Sequence, residues 1–339
     1  MKVSIIDQDK YIRIIEKNQK SITIYHTQEW LNVLKESYRI NVLYIEILNQ
    51  DNEILSVCPF VILKKFGFTF IGSSLRGTHT EYMGPVYLKK LDFIEKDKII
   101  ETYAKFLIDR YKPSYLQFSF PYNVNLNELS SLQHLKFVKE IKSSLLVASF
   151  DDEDVLWKSF KGRARTSVRK ALKSNIVVVD STYDNESLKI HYRMVKDNFE
   201  RQGLTLSHPF ILYENLLNTF AVKDNIKLFE ARINNEIVAS SIFLIYKNRM
   251  LFLSGGSNFK GNKYSANSLV QYTAMTYAIK NKITKYDLGG VGCTSIDKFK
   301  ESFGGQKIDR VIYTKKTIIA NFLQKVYLYF HSNNPLKFK

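Results

Sequence analysis

Cysteine is scarce in this chain, long apolar runs are missing, and acidic residues are absent from the two stretches where bases concentrate. Of 339 residues only Cys58 and Cys293 are cysteines. They lie far apart in apolar or glycine-rich surroundings, which argues against a disulfide framework and for a reduced compartment. The N-terminus, MKVSIIDQDKYIRIIEK, lacks the apolar core of a secretion signal. The longest apolar run, Ile54 to Leu63, falls short of the roughly eighteen residues that a membrane span requires. The 6 histidines are scattered and neither cysteine has a partner at ligand spacing, so no metal site is expected. No Walker-type phosphate loop occurs, no Ser–His–Asp order can be defended, and no Pro/Gly/Ser-rich linker divides the chain. These absences predict a cytoplasmic protein with no bound cofactor and room for two domains.

What is present is aromatic and basic. Phe (23) and Tyr (21) bring the aromatics to 14%, enough for real cores and against disorder. The net charge is +17, and it is clustered. Lys158 to Lys173 holds seven bases and no acids, Tyr313 to Lys339 five bases and no acids, together 12 of that excess. Such clusters imply polyanionic partners: RNA, a phosphorylated cofactor, a lipid pyrophosphate or an anionic membrane face. Lysine used as a generic solubilising residue explains scattered lysines, but not clustered arginines.

An internal repeat organises the chain. Leu43 to Gly72 aligns with Lys227 to Gly256: a strand with Glu46 or Glu230 near its middle, an Asn-containing turn, a second strand, a basic turn, and a third strand ending in glycine. The continuations also match, Glu101 to Phe120 with Gln271 to Gly290, each a helix followed by a Tyr-led strand. A period this long means two copies of one domain rather than a solenoid. The expected fold class is α+β, with two tandem domains, each a mostly antiparallel sheet flanked by helices. The expected boundaries are 1–150, 151–312, and a basic amphipathic C-terminal helix and tail over 313–339. In that last segment Ile318, Ile319, Phe322, Val326 and Phe330 fall at helical spacing among Lys315, Lys316 and Lys325, with Tyr327 and Tyr329 nearby. This suits either a helix lying on an anionic membrane or a terminal helix docked on the first domain.

The segment Lys285 to Gly305, KYDLGGVGCTSIDKFKESFGG, carries the most chemistry. It reads as a strand end stopping at a Gly-Gly turn, then a short Thr/Ser/Asp-led helix bearing Phe299 and Lys300, closed by a second Gly-Gly. Glycines let backbone N–H groups approach a ligand, and the turn sets one lysine beside them. A plain connection with a surface lysine fits the spacing equally well. Copy two keeps Asp287, Gly289 and Gly290 where copy one has Gln117, Ser119 and Phe120, which favours chemistry in the second copy.

This segment resembles the C-terminal signature of the FemAB family of aminoacyltransferases, which have the acetyltransferase (GNAT) fold: Tyr286 to Gly290, then Phe299-Lys300 and Phe303. Phe160 to Val179 resembles the family's basic helix leading into a strand, and Phe199 to Pro209 its Glu-Arg-x-Gly-hydrophobic-Thr loop. With the helix around Trp30, the likeness spans most of residues 20 to 312. It implies GNAT-like domains, the first on the acceptor side and the second on the acyl-donor side. It also implies transfer of an aminoacyl group from aminoacyl-tRNA to an amine of a cell-envelope precursor such as peptidoglycan. Lys300 would stabilise the oxyanion, and Phe299 would stack on the terminal tRNA base or simply fill the core.

Lys161, Arg165, Arg169 and Lys173 recur every four residues and form one helical stripe. Ala164, Val168, Ala171 and Leu172 form a separate apolar face. The stripe is either a solvated face or a phosphate rail for tRNA or a cofactor pyrophosphate. On the donor side the candidates are thus Phe299, Asp287, Gly289, Gly290 and this stripe. The acceptor side departs from the family. Where some members grip precursor phosphates with a lysine and an arginine, the nearest residues here are the displaced Lys35 and His208. An acidic residue of some members corresponds to Ser119. The loop Arg76 to Tyr87 adds Arg76, His79 and Tyr82 as acceptor candidates. Two alternatives therefore stand beside the tRNA-dependent reading: an acyl-CoA-dependent N-acyltransferase acting on an amino sugar, and a non-catalytic RNA- or membrane-binding protein. A C-terminal helix on the inner face of the membrane would suit a lipid-linked acceptor.

Overall fold

The computed structural model describes residues 1–19, 22–122, 129–148, 152–292 and 294–321. They fall into two units: 1–142 with 309–321, and 143–308. The division lies inside the strand Val138–Ala148.

In the first unit the sheet order is Lys2–Ile6, Asn41–Leu48, Ile54–Lys65, Phe68–Gly72, Tyr115–Ser119 and then Gln306–Lys316. Phe68–Gly72 and Tyr115–Ser119 run parallel, joined by the helix Phe93–Tyr111. That helix starts on a capping box, Asp92 with Glu95, and buries Ile99, Ile100, Tyr103, Ala104 and Leu107 at helical spacing. In the second unit the order from the strand Val138–Ala148 is Lys285–Gly290, Arg249–Ser257, Glu236–Tyr246, Ile226–Ile233 and Val177–Asp180. Again a parallel pair, Arg249–Ser257 with Lys285–Gly290, is joined by a crossover helix, Ala266–Lys280. The fold is therefore α+β with the strand–strand–strand–helix–strand repeat that the sequence predicts.

The repeated glutamates are buried ion pairs. Glu46 meets Lys10 at 2.7 Å, and Glu230 accepts from Arg232 Nε at 2.6 Å. A carboxylate taken out of water needs such a partner.

In the second unit the helix Gly162–Lys173 packs on Ala266–Lys280. Ala164, Val168 and Ala171 are buried, at steps of four and three residues. Leu172, grouped with them from sequence, is 54% exposed. At about 100° per residue it lies about 40° beyond Val168, on the edge of that stripe.

The stretch 313–316, expected to open a terminal helix, is the end of the strand Gln306–Lys316, with Lys316 opposite Tyr115. Val311, Ile312, Tyr313 and Thr314 are β-branched or aromatic, and their neighbours on the sheet decide their state. A helix begins only after Thr317, whose hydroxyl accepts from the Ala320 N–H. Phe322, Lys325, Val326, Tyr327, Tyr329 and Phe330 lie outside the described residues. No helix among the described residues is long and apolar enough to cross a membrane.

Candidate functional site

The site grows from the helix Thr294–Glu301, which follows the strand Lys285–Gly290. Gly289 takes φ +77, a conformation that glycine adopts without strain, where the register with the strand Val138–Ala148 shifts. The Asp297 carboxylate accepts from the Gly292 N–H at 3.1 Å and ties the helix back to the segment before it. Phe303 is fully buried, with its ring 5.1 Å from Phe160 and 5.2 Å from Phe299. Gly304, at φ +85, passes so close to Ser159 that a Cβ would meet its carbonyl at 2.9 Å. These contacts hold the helix against the start of Gly162–Lys173, where the Lys161 N–H donates to Ser302 O at 2.8 Å.

Lys300 is thereby placed with little freedom. It is only 7% exposed, its Nζ donates to Gly290 O at 2.7 Å, and it stands 5.8 Å over the Phe252 ring. An ammonium so held needs little reorganisation to meet developing negative charge. Nearby, the pairing of Arg249–Ser257 with Lys285–Gly290 stops at Leu251 opposite Asp287, while both strands run on.

Beside Phe299 lies a cleft of about 340 Å³, lined also by Arg163, Ser167, Asn262, Asn267 and Ser268. Its floor includes the start of the 15-residue helix Ala266–Lys280, whose cap residue Ser265 makes no side-chain capping bond. A helix N-terminus facing an arginine and several amide and hydroxyl groups is an anion-compatible wall.

The predicted donor residues are put to different uses. Phe299, Lys300, Gly289 and Gly290 come together. Asp287 meets them from the other face of the strand: Tyr286 and Leu288 enter the core cluster, and strand alternation turns Asp287 away from it. It is fully buried, accepts from the Gly289 N–H at 2.9 Å and lies 3.5 Å from Arg249 Nη1. It shapes the turn from behind. The basic stripe is not one uniform rail. Lys161 pairs loosely with Glu301 at 3.5 Å, and Lys173 is exposed. Arg165 folds back onto Phe160 O at 2.8 Å, and Arg169 covers Trp157 at 5.2 Å. Arg163 and Ser167, the adjacent stripe four residues apart, reach the cleft instead. Sequence reasoning missed them, along with the polar run Asn262 to Ser268, which reads as ordinary turn and capping residues.

The acceptor candidates are scattered. Lys35 donates to Gln8 Oε1 at 2.8 Å, and burial lowers its pKa. Arg76 is exposed and ion-paired with Glu140. His79 adopts φ +57. Tyr82 is buried edge-on between Tyr25 and Tyr122. The loop that carries these last three is tied down: Trp30 Nε1 donates to Thr80 Oγ1 at 3.0 Å, and Arg310 donates to Glu81 O. His208 belongs to the second unit, where its carbonyl accepts from Tyr192.

One buried titratable group sits in the second unit away from the cleft. His191 is fully buried, with Nδ1 2.9 Å from Ser240 Oγ and Nε2 2.8 Å from Ser254 Oγ. Desolvation pushes its imidazole down to about 3. In the unfolded chain it titrates near 6.5, so the unfolded chain binds more protons below that pH. Stability is therefore complete above about 6.5 and falls by about 1.4 kcal/mol per pH unit toward 3 from this group. Denaturant unfolding between pH 7 and 4 is expected to show that slope, and His191→Gln to flatten it. An equal slope in the variant would rule His191 out as its source.

Residues 158–301 match the family described as acetyltransferase (GNAT) domain. The matched segment lies within the second unit. A curated relative, UDP-N-acetylmuramoylpentapeptide-lysine N(6)-alanyltransferase of Weissella viridescens, is 22% identical over 173 residues, 51% of this chain. The match spans 50% of that relative's length. The crystal structure of FemX superposes with a TM-score of 0.68 over 92% of this chain and 97% of its own, at 17% identity. A tandem GNAT protein from the clavulanic acid biosynthesis pathway superposes with 0.59 over 93% and 98%, at 8% identity. At these identities the structures establish the fold. The Phe299–Lys300 helix and most of the cleft residues fall inside the matched GNAT segment.

Proposed function

We propose that this chain is an N-acyltransferase that moves an aminoacyl group from aminoacyl-tRNA onto an amine of a cell-envelope precursor. The observation that carries the reading is Lys300, buried and fixed on the Gly290 carbonyl, on the same short helix as Phe299, which lines a cleft with Arg163 while Lys300 itself is not part of that lining. The likeness to an alanyltransferase of peptidoglycan-precursor type supports the substrate class. In the reaction the acceptor nitrogen attacks the ester carbonyl, and a tetrahedral oxyanion forms. The ester C–O bond then breaks and the ribose hydroxyl leaves, while the nitrogen loses a proton. No covalent enzyme intermediate is required, so the protein contributes positioning and charge stabilisation. The Lys300 charge acts through space on the oxyanion. Arg163 and the start of Ala266–Lys280 suit a donor phosphate, and Phe299 offers a ring for stacking.

A second reading, acyl-CoA as donor and an amino sugar as acceptor, is favoured by one observation. Lys35 is bound to Gln8, and His208 stands in place of an arginine, so the precursor-phosphate grip of the peptidoglycan enzymes is lacking in those residues. The two readings separate on incubation of purified protein with charged tRNA and envelope precursors, or with acyl-CoA and amino sugars. Transfer of labelled amino acid supports the first and CoA release the second. Turnover of neither sinks the enzymatic reading.

Both donors carry phosphates, so Arg163→Gln is expected to raise the donor KM about tenfold. It should leave kcat near the parent value and weaken the dependence of KM on salt. A parent-like KM would exclude Arg163 from donor binding.

A further inference from the structure

The hairpin tip between Ile54–Lys65 and Phe68–Gly72 carries a side chain that the fold does not use. Phe66 is 86% exposed and adopts φ +52, followed by Gly67 at φ +76. A two-residue turn with both φ positive ordinarily takes Asn, Asp or Gly, and a bulky residue there is strained. One other tip follows the rule, and one places a lysine at positive φ. Asn234 and Asn235 make one such turn at φ +49 and +65, whereas the equivalent tip in the second copy opens on Lys247 at φ +55, an exposed cation where the first copy has an aromatic ring. A strained, exposed aromatic at a tip points to a use outside the unit that bears it.

More apolar surface emerges at the same end of the sheet. Lys65 faces Phe68 and Leu63 faces Phe70; Phe70 then pairs with Tyr115, and Tyr115 with Lys316. The chain leaving Lys316 is thus two strands across from the tip, roughly 10 Å. There Ile318 is 89% exposed and Ile319 64%. Lysines surround both groups: Lys64 and Lys65 at the tip, with Lys65 5.2 Å over the Phe66 ring. Lys112 caps the helix that precedes Tyr115, and Lys316 covers the Tyr115 ring. Residues 60–70 and 310–321 contain no acid. Asp109 lies on the last turn of the capped helix beside Arg110, and Glu140 is paired with Arg76 and Lys142.

We propose that this end of the first unit docks on an anionic bilayer, with Phe66, Ile318 and Ile319 entering the boundary between head groups and acyl chains and the lysines meeting lipid phosphates. Exposed isoleucines favour lipid over RNA, because they have no π-face on which a base could stack. The proposal is independent of the donor chemistry, and its failure would leave the transferase reading untouched.

The test is flotation of the full chain with vesicles of phosphatidylglycerol and phosphatidylcholine, against phosphatidylcholine alone. Binding to the anionic vesicles only is expected, weakening as salt rises. Phe66→Ser should lower the partition coefficient about tenfold, and Lys64→Gln or Lys65→Gln about fivefold each. All three side chains are exposed, so unchanged circular dichroism should accompany the loss. Phe66→Trp should add a blue-shifted emission that brominated lipids quench. An absence of anionic-vesicle binding overturns the proposal, as does an unquenched, unshifted indole emission from the Phe66→Trp variant. Equal binding by Phe66→Ser also overturns it, since the lysines would then be a generic polyanion surface.

Discussion

Lys300→Met is expected to lower the acyl-transfer rate about a hundredfold while the protein stays folded. Methionine keeps an apolar stem over Phe252 and removes the ammonium now bound to Gly290 O. That carbonyl loses a charged partner in a nearly closed setting, which costs about 1–3 kcal/mol and shows as a small drop in melting temperature. The two effects are separable, since the rate is compared at a temperature where both proteins are fully folded. Because the lost interaction strengthens as the oxyanion forms, kcat and kcat/KM should fall together. Lys300→Arg, which restores charge in an altered position, should recover part of the rate. A rate for Lys300→Met within a factor of about three of the parent would remove the central residue of the proposed mechanism.

Gly256→Ala should be strongly destabilising. A Cβ there would lie 2.7 Å from Met194 Cβ, 2.8 Å from the Met194 carbonyl carbon and 2.8 Å from Val195 N. Two of these are backbone atoms of the helix Asn185–Arg201, so no side-chain rotation relieves the clash. The helix must move off the sheet, and the His191 bonds to Ser240 and Ser254 move with it. Overpacking of this kind costs about 3 kcal/mol or more. Gly162→Ala is the matched control, since nothing lies within 4 Å of its added methyl. It should be neutral or stabilise by up to about 1 kcal/mol. Thermal melts of both variants decide the matter, and equal melting temperatures would mean that the strand–helix approach at Gly256 is looser than the geometry states.

The strands and crossover helices of both copies were legible because alternation and helical spacing are local, and the chain writes each pattern twice. The short helix bearing Phe299 and Lys300 was legible for a related reason, the glycine turns on either side of it, while the roles given to the two residues came from the family resemblance alone. Asp287 misled, since a carboxylate beside a Gly-Gly turn reads as a ligand-facing group until strand parity turns it toward Arg249. The basic stripe misled in the same way. Spacing puts Lys161, Arg165, Arg169 and Lys173 on one face, but the carbonyl of Phe160 and the ring of Trp157 occupy two of them. Arg163 emerged only when the helices Gly162–Lys173, Ala266–Lys280 and Thr294–Glu301 were brought around one cleft.

The amino-acid sequence by itself determined the duplicated α+β plan, the asymmetry between the copies and the short helix bearing Lys300, because each rests on periodicity or on glycine conformation within a few residues. Only the tertiary structure decided which cation faces the cleft, which carboxylate is spent on the turn, and that 313–316 is strand rather than helix. Those outcomes depend on neighbours far away in the chain, whose hydrogen bonds and packing outweigh the local preference of any one residue.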